Sequence, residues 1–327
     1  MIRREWLKRA AALSVAGPTV LSQGSALAAY AERPVTLVAP FPAGGSADAY
    51  ARIVAAGLSE ELRQPVVVQN KPGASGGLGI QTVVRSAPDG YTLGLAGIGT
   101  MLLMPLTSPK PMFDPMKDLT LLGQVVATPV VMVVGSGVKA KTVAEFVGEA
   151  KRRPGALTVA STGVGGGTHV IAELFQQATG TQLLHVPYQG STQVMQDMLG
   201  GQVDVFFGEI PALLPQIKAG KLRVLLTATT QRLKWLPEVP TAAQAGVPQV
   251  LLSGEYGLVG PAGLPAAVSS AIERALLKTM ATADAADKMD KGFGIPTLKS
   301  GEAYRAYLQA ETQRWRPVIK AANITTE

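Results

Sequence analysis

The stretch VTLVAPFPAGGSADAYARIVAAGLSEEL, residues 35–62, decides how the rest of the chain is read. Its first five residues, Val35–Ala39, are apolar or β-branched and read as a buried strand. A loop rich in proline and glycine follows, Pro40-Phe41-Pro42-Ala43-Gly44-Gly45, and a helical period then runs over 46–61. The glycines let backbone approach a ligand closely, and Ser46 stands where a helix cap belongs. The unpaired N–H groups of such a helix start attract anions. Asp48 in the first turn complements the helix dipole, although the same carboxylate could serve an enzyme as a base. Taken alone, the loop reads equally well as a tight strand-to-helix turn.

Working outward, a short apolar run followed by a small-residue loop and a helical period recurs about every 25 to 35 residues, which is α/β alternation. Strands are predicted at 35–39, 66–69, 91–96 and 121–126, with helices over 46–61 and 78–85; Asp89-Gly90 marks a turn. A second set is predicted at 130–134, 157–160, 183–186, 203–207 and 222–227, where Thr142 and Glu145 have the spacing of a capping box. Within it Ser161-Thr162-Gly163-Val164-Gly165-Gly166-Gly167-Thr168-His169 repeats the glycine loop of the first set. Two such loops facing across a cleft would hold a dicarboxylate at both ends without an arginine. Helices over 265–281 and 300–322 end the chain and are expected to return to the first set. The pattern predicts two α/β lobes, each a mostly parallel sheet flanked by helices: 30–127 plus 253–327, and 128–252, joined by crossover strands near residues 127 and 252.

The 327 residues are enough for a sizeable core in each lobe, and no cysteine is present, which excludes disulfides, thiolate metal sites, cysteine nucleophiles and a lipidated N-terminal cysteine. The formal charge is +7, but Arg3, Arg4, Lys8 and Arg9 against Glu5 place +3 of it in residues 1–29. The other basic residues are scattered, apart from Lys151-Arg152-Arg153 at a predicted helix end, so nucleic-acid binding is not expected. Residues 1–29 carry a basic start, an apolar stretch from Ala10 to Leu21 and the small-residue end Ala26-Leu27-Ala28, the pattern of a signal peptide cleaved near Ala28. That apolar stretch is far short of the roughly 20 residues of a spanning helix. Arg3-Arg4-Glu5-Trp6-Leu7-Lys8 resembles a twin-arginine signal, with Ile2 departing from the usual polar residue before the pair; twin-arginine and general secretion both remain open. Either route predicts a periplasmic protein.

Catalytic chemistry finds little support. Gly73-Ala74-Ser75-Gly76-Gly77 matches the spacing of a serine-hydrolase elbow, but Asn70-Lys71-Pro72 separates it from the preceding strand. A periplasmic hydrolase using Ser75 therefore stands as a minor alternative. Neither nucleotide-binding glycine pattern occurs. Only two histidines exist, His169 and His185, without metal-ligand spacing, so neither metal nor cofactor is expected. His169 is either a ligand contact or a satisfied structural residue, His185 reads as structural, and Tyr188 reads as cleft lining or packing.

Eight stretches in register carry a family resemblance: PFPAGGSAD at 40–48, QPVVVQNKPGASGG at 64–77, APDGYTL at 87–93, the glycine loop at 161–169, HVPYQGS at 185–191, GGQVDV at 200–205, IKAGKLR at 217–223 and PEVPTAAQAG at 237–246. The chain resembles the Bug family, the substrate-binding receptors of tripartite tricarboxylate transporters. The resemblance implies a two-lobed fold of the periplasmic-binding-protein type II class with two crossing hinge strands. It also implies a small carboxylate ligand held by backbone amides, hydroxyls and water, two integral membrane transporter subunits as partners, and a monomeric receptor that performs no chemistry. A receptor feeding a membrane signalling partner fits the sequence as well. By position, the resemblance puts Phe41, Gly44, Ser46, Ala47 and Asp48, with Gly99 and Thr100, in one wall of the site, and Ser161, Gly163, Gly165, Thr168 and His169 in the other. Several residues depart from the family pattern. Gly208-Glu209 replaces a common Asp-Asn, Met101 and Met104 stand where polar residues are common, Gln189 replaces a common Lys, and Glu255 lies near a usual aromatic. If Glu209 faces the pocket, it would repel an acidic ligand and favour one with an ammonium group or a neutral tail.

Overall fold

The computed structural model describes residues 31–321 and 323–325; the expected export segment at 1–29 lies outside the described residues. β1 (Val35–Ala39), α1 (Ser46–Leu62), β2 (Val66–Asn70), α2 (Gly77–Val84) and β3 (Thr92–Ala96) open the fold. β1 pairs parallel with β2 on one side and β3 on the other. α1 buries Ala47, Tyr50, Ala51, Val54 and Leu58, one stripe at helical spacing, against that sheet. The Tyr50 ring tilts against Tyr256 at 5.4 Å between centroids, fixing the helix over the sheet centre.

After β3, a π-helical turn at Gly99–Leu103 runs into the short α3 (Met104–Thr107). The chain then enters β4 (Leu119–Val134), which belongs to both halves of the sheet. Its first part pairs with β9 (Ser253–Pro261) from Leu119 opposite Pro261 to Pro129 opposite Ser253, with the register shifting between Leu121 and Gly123 and between Gln124 and Val126. Val130–Val134 pairs instead with β7 (Val205–Glu209) and β8 (Arg223–Thr227). The strands predicted at 121–126 and 130–134 are thus one continuous strand. Pro129, which lacks an N–H to donate, sits where β4 changes partners, so the proline that suggests a break is accommodated without one.

The second half adds α4 (Val143–Arg152), β5 (Thr158–Ser161), α5 (Gly167–Thr179), β6 (Leu184–Pro187), α6 (Ser191–Leu199) and α7 (Ile210–Lys218). β5 pairs parallel with β6 and β7. Thr142 caps α4 by accepting the Glu145 N–H, while the Glu145 carboxylate accepts from Lys141 N–H, one residue before the cap. β9 returns the chain, and α8 (Ala266–Met280), α9 (Ala283–Lys291), β10 (Ile295–Ser300) and α10 (Gly301–Ala321) complete it. α8 and α9 pack on α1, and α10 packs on β4. The sheet is mixed: β2-β1-β3 and β6-β5-β7 are parallel, as expected of α/β units, while β4 and β9 are antiparallel to their neighbours. That follows from connectivity, because a strand that leaves one half and a strand that returns to it must run in opposite directions.

Candidate ligand-binding site

The loops after β1 and β5 meet at one small cavity of about 80 Å³, lined by Phe41, Pro42, Gly45, Ser46 and Ala47 from one half and by Thr162, Gly166, Gly167 and Thr168 from the other. α1 and α5 both begin there. Their cap positions, Gly45 and Gly166, are extended glycines, and no side chain caps either helix. The first-turn N–H groups of a 17-residue and a 13-residue helix therefore point at the same space, each with its positive dipole end. Gly99 and Thr100, from the turn after β3, and Glu209, at the end of β7, complete the set of predicted residues that line it.

The two halves touch around this cavity. Ser75 Oγ donates to the Val164 carbonyl at 2.7 Å, Thr107 Oγ1 to the Gly165 carbonyl at 3.2 Å and Thr192 Oγ1 to the Ala43 carbonyl at 3.3 Å. Backbone also meets backbone here, glycine on glycine: a Cβ at Gly99 would lie 2.9 Å from the Gly167 backbone nitrogen. Only residues without side chains at this pair permit so close an approach of the walls.

The remaining predicted residues stand behind the lining and shape it. Asp48 accepts from the Gly44 N–H at 3.1 Å, from Asn70 Nδ2 at 3.0 Å and from Arg52 Nε at 3.0 Å, tying the first loop to its helix. Burial pushes its pKa up, but these donors outweigh burial and hold the carboxyl below its ordinary value. In the second loop the Gly165 N–H donates to His169 Nδ1, and Ser161 Oγ accepts from the Gly163 N–H and pairs with His185 Nε2 at 2.7 Å. The two imidazoles stack at 4.0 Å, with Glu173 3.6 Å from His169 Nε2. Gly163 packs on Ser75, and Tyr188 donates to Asp197 at 2.8 Å, away from the lining. Gly44, Asp48, Ser161, Gly163, Gly165, His169 and Tyr188 thus hold the walls rather than face the cavity.

The fold agrees with what comparison with known proteins finds. A model of the tripartite tricarboxylate transporter family receptor matches residues 50–324. The chain belongs to that family. It is similar to protein BugT of Bordetella pertussis, 32% identical over 292 residues that cover 89% of this chain and 90% of the relative. Among solved structures it resembles a periplasmic transporter at 35% identity and a TM-score of 0.87, covering 91% of this chain and 99% of that one. It also resembles an R. palustris protein solved with adipate, at 30% identity and a TM-score of 0.86, covering 90% and 98%. MatC from Rhodopseudomonas palustris, solved with bound malate, is 27% identical with a TM-score of 0.84, covering 88% and 99%. The fold is the α/β periplasmic-binding-protein fold.

Within this receptor family framework, the lining includes residues that the sequence did not point to, Ser191, Phe206, Ser253, Gly254 and Tyr256, and Ser75, which it offered only as a nucleophile. Among the described residues, Glu209 is the only lining side chain of Asp, Glu, Lys, Arg or His type. Tyr256 OH donates to its Oε2 at 2.8 Å, and the Ser46 hydroxyl also bonds to it. Gly254 makes room for the carboxylate, since a Cβ there would lie 2.0 Å from Glu209 Oε1. Burial raises the Glu209 pKa to about 7, against the pull of Tyr256 and Ser46. Met101 and Met104 are buried in the core instead of facing the ligand space, and Gln189 takes part through its N–H, which donates to Gln193. Glu255 lines a different groove, where Gln124 donates to it.

Proposed function

We propose that this chain is a periplasmic solute-binding receptor that captures a small carboxylate-bearing metabolite and delivers it to tripartite transporter subunits in the membrane. Two lobes, 30–127 with 253–327 and 128–252, close on the ligand about β4 and β9, and the monomer performs no chemistry. One observation carries the reading: two uncapped helix starts from opposite halves converge on a cavity whose lining, among the described residues, holds no cationic side chain. Such a site neutralises a carboxylate by backbone dipoles and N–H groups, which bind without a buried salt bridge and its desolvation cost. Family membership supports the transport role, and relatives solved with adipate and malate support the ligand class.

The hydrolase alternative loses its base. Ser75 does hold a left-handed backbone, φ 53°, at the cavity, but its hydroxyl donates to a carbonyl, and His169 and His185 bond to Gly165 and Ser161. The test is a thermal-shift screen of the mature chain against mono-, di- and tricarboxylates and amino acids, with solution scattering on any hit. Ligand at 100 times its Kd should stabilise the fold by about 2.7 kcal/mol, and the radius of gyration should fall on saturation. A flat screen after unfolding and refolding to strip bound solute, or a hit without compaction, would overturn this reading.

A further inference from the structure

The electrostatics of the cavity are of both signs, and this chain's own Glu209 makes them so. The α1 and α5 helix starts offer N–H groups and positive dipole ends. Beside the α1 start, the Glu209 carboxylate is recessed between Tyr256 on β9 and Ser46, the first residue of α1, with Gly254 leaving space for its Oε1. Among the described residues no Lys, Arg or His lines the cavity, so no cationic side chain there balances this carboxylate. A recessed carboxylate without a cation is costly unless it is protonated or a ligand supplies the positive charge. We propose that Glu209 is a specificity-determining subsite that takes the ammonium group of an amino-carboxylate whose carboxylate lies at the α1 and α5 helix starts. The proposal rests on the receptor reading and narrows its ligand class.

The neighbours of Glu209 suit that role. Both hydroxyls beside it can donate to the ionised carboxylate, leaving its remaining lone pairs for an ammonium N–H. The titratable groups facing it are Tyr256 and, further off, Tyr50 on α1, and burial pushes both phenols up, so they stay neutral through the physiological range. With Glu209 itself raised to about 7 by burial, its ionisation is the event that pH controls here. An ammonium ligand should then favour ionised Glu209 and bind more tightly as pH rises from 6 to 8. A dicarboxylate should favour protonated Glu209 and bind more weakly over the same range.

The experiment is titration calorimetry of the mature chain, refolded to strip solute, against α- and ω-amino acids and the dicarboxylates of matched length, at pH 6 and pH 8. The expected result is a best ligand bearing an amine, at least tenfold tighter than its matched dicarboxylate and tighter at pH 8 than at pH 6. Glu209→Gln should weaken that ligand at least tenfold and strengthen dicarboxylates, with thermal melting of the ligand-free variant checking its fold. Should Glu209→Gln fail to fold, the pH comparison on the unaltered protein still decides. A dicarboxylate as best ligand, weakening as pH rises, would overturn the ammonium subsite while leaving the receptor reading intact. No binding by any member of either class would overturn both.

Discussion

Gly99→Ala separates closure from folding. Gly99 sits in the helical turn after β3, where replacing glycine by alanine ordinarily stabilises by about 0.5–1 kcal/mol. Its missing Cβ, however, would stand 2.9 Å from the Gly167 nitrogen across the cavity, about half an ångström inside ordinary contact. Backbone cannot swing aside as a side chain would, so the walls must part at the point where they now meet. Overpacking of this kind costs about 1–3 kcal/mol, and here only when the halves are together. Binding should therefore weaken by about 5- to 150-fold, while the ligand-free protein melts at the same temperature or slightly higher. Calorimetric titration with the tightest carboxylate of the screen, beside melting curves without ligand, measures both. An unchanged Kd would refute the argument that these glycines set the closed approach. A lowered melting point without ligand would refute it differently, by showing that the contact belongs to the fold and not to closure.

Ser75→Ala removes the 2.7 Å hydrogen bond to the Val164 carbonyl and should weaken ligand binding by about 2- to 13-fold, the effect of roughly 0.5–1.5 kcal/mol. If that variant instead loses an ester-hydrolysing activity present in the unaltered protein, the elbow-like motif is catalytic after all. His185 is held near pKa 4, below its ordinary 6.5, by burial and then by the charge of His169. The folded state keeps this imidazole neutral while the unfolded chain protonates it, so its contribution is full above about pH 6.5 and is lost as pH falls toward 4, at most about 3 kcal/mol. Urea unfolding at pH 7.5 and 4.5 measures that loss, and His185→Gln should reduce it; equal losses in both proteins would remove His185 from the account.

Local pattern made some of this legible and distance hid the rest. The segments 40–48 and 161–169 announce themselves because a strand period, a glycine run and a helical period abut, and both prove to open helices at the cavity. Sequence could not say which of their residues face inward: the family resemblance put Asp48 and His169 in the walls, their own pattern left both roles open, and the structure spends them on the Gly44 and Gly165 N–H groups. Ser253, Gly254 and Tyr256 arrive from a strand some 200 residues after the first loop and carry no local signal of a site. β10 went unread for another reason: it alternates weakly, contains Pro296 and exposes Ile295 and Leu298, so it resembles a loop in sequence while pairing with β4.

What places these groups together is strand direction. β1 and β3 in one half, and β5 and β7 in the other, all end at the cavity, delivering Phe41 and Gly45 to Ala47, Gly99 and Thr100, Thr162 and Gly166 to Thr168, and Glu209 in turn. Ligands in α/β sheets bind outside the carboxyl ends of strands for this reason, and here two such edges face each other. The return strand β9 runs antiparallel, so its beginning, and not its end, reaches the same place with Gly254 and Tyr256. Each parallel edge contributes a helix start, which is positive, and β7 adds the lone carboxylate that β9 then brackets. An anion site and a negative subsite beside it thus follow from one topology, and a change at position 209 can alter which solute is taken while both backbone helix starts stay in place.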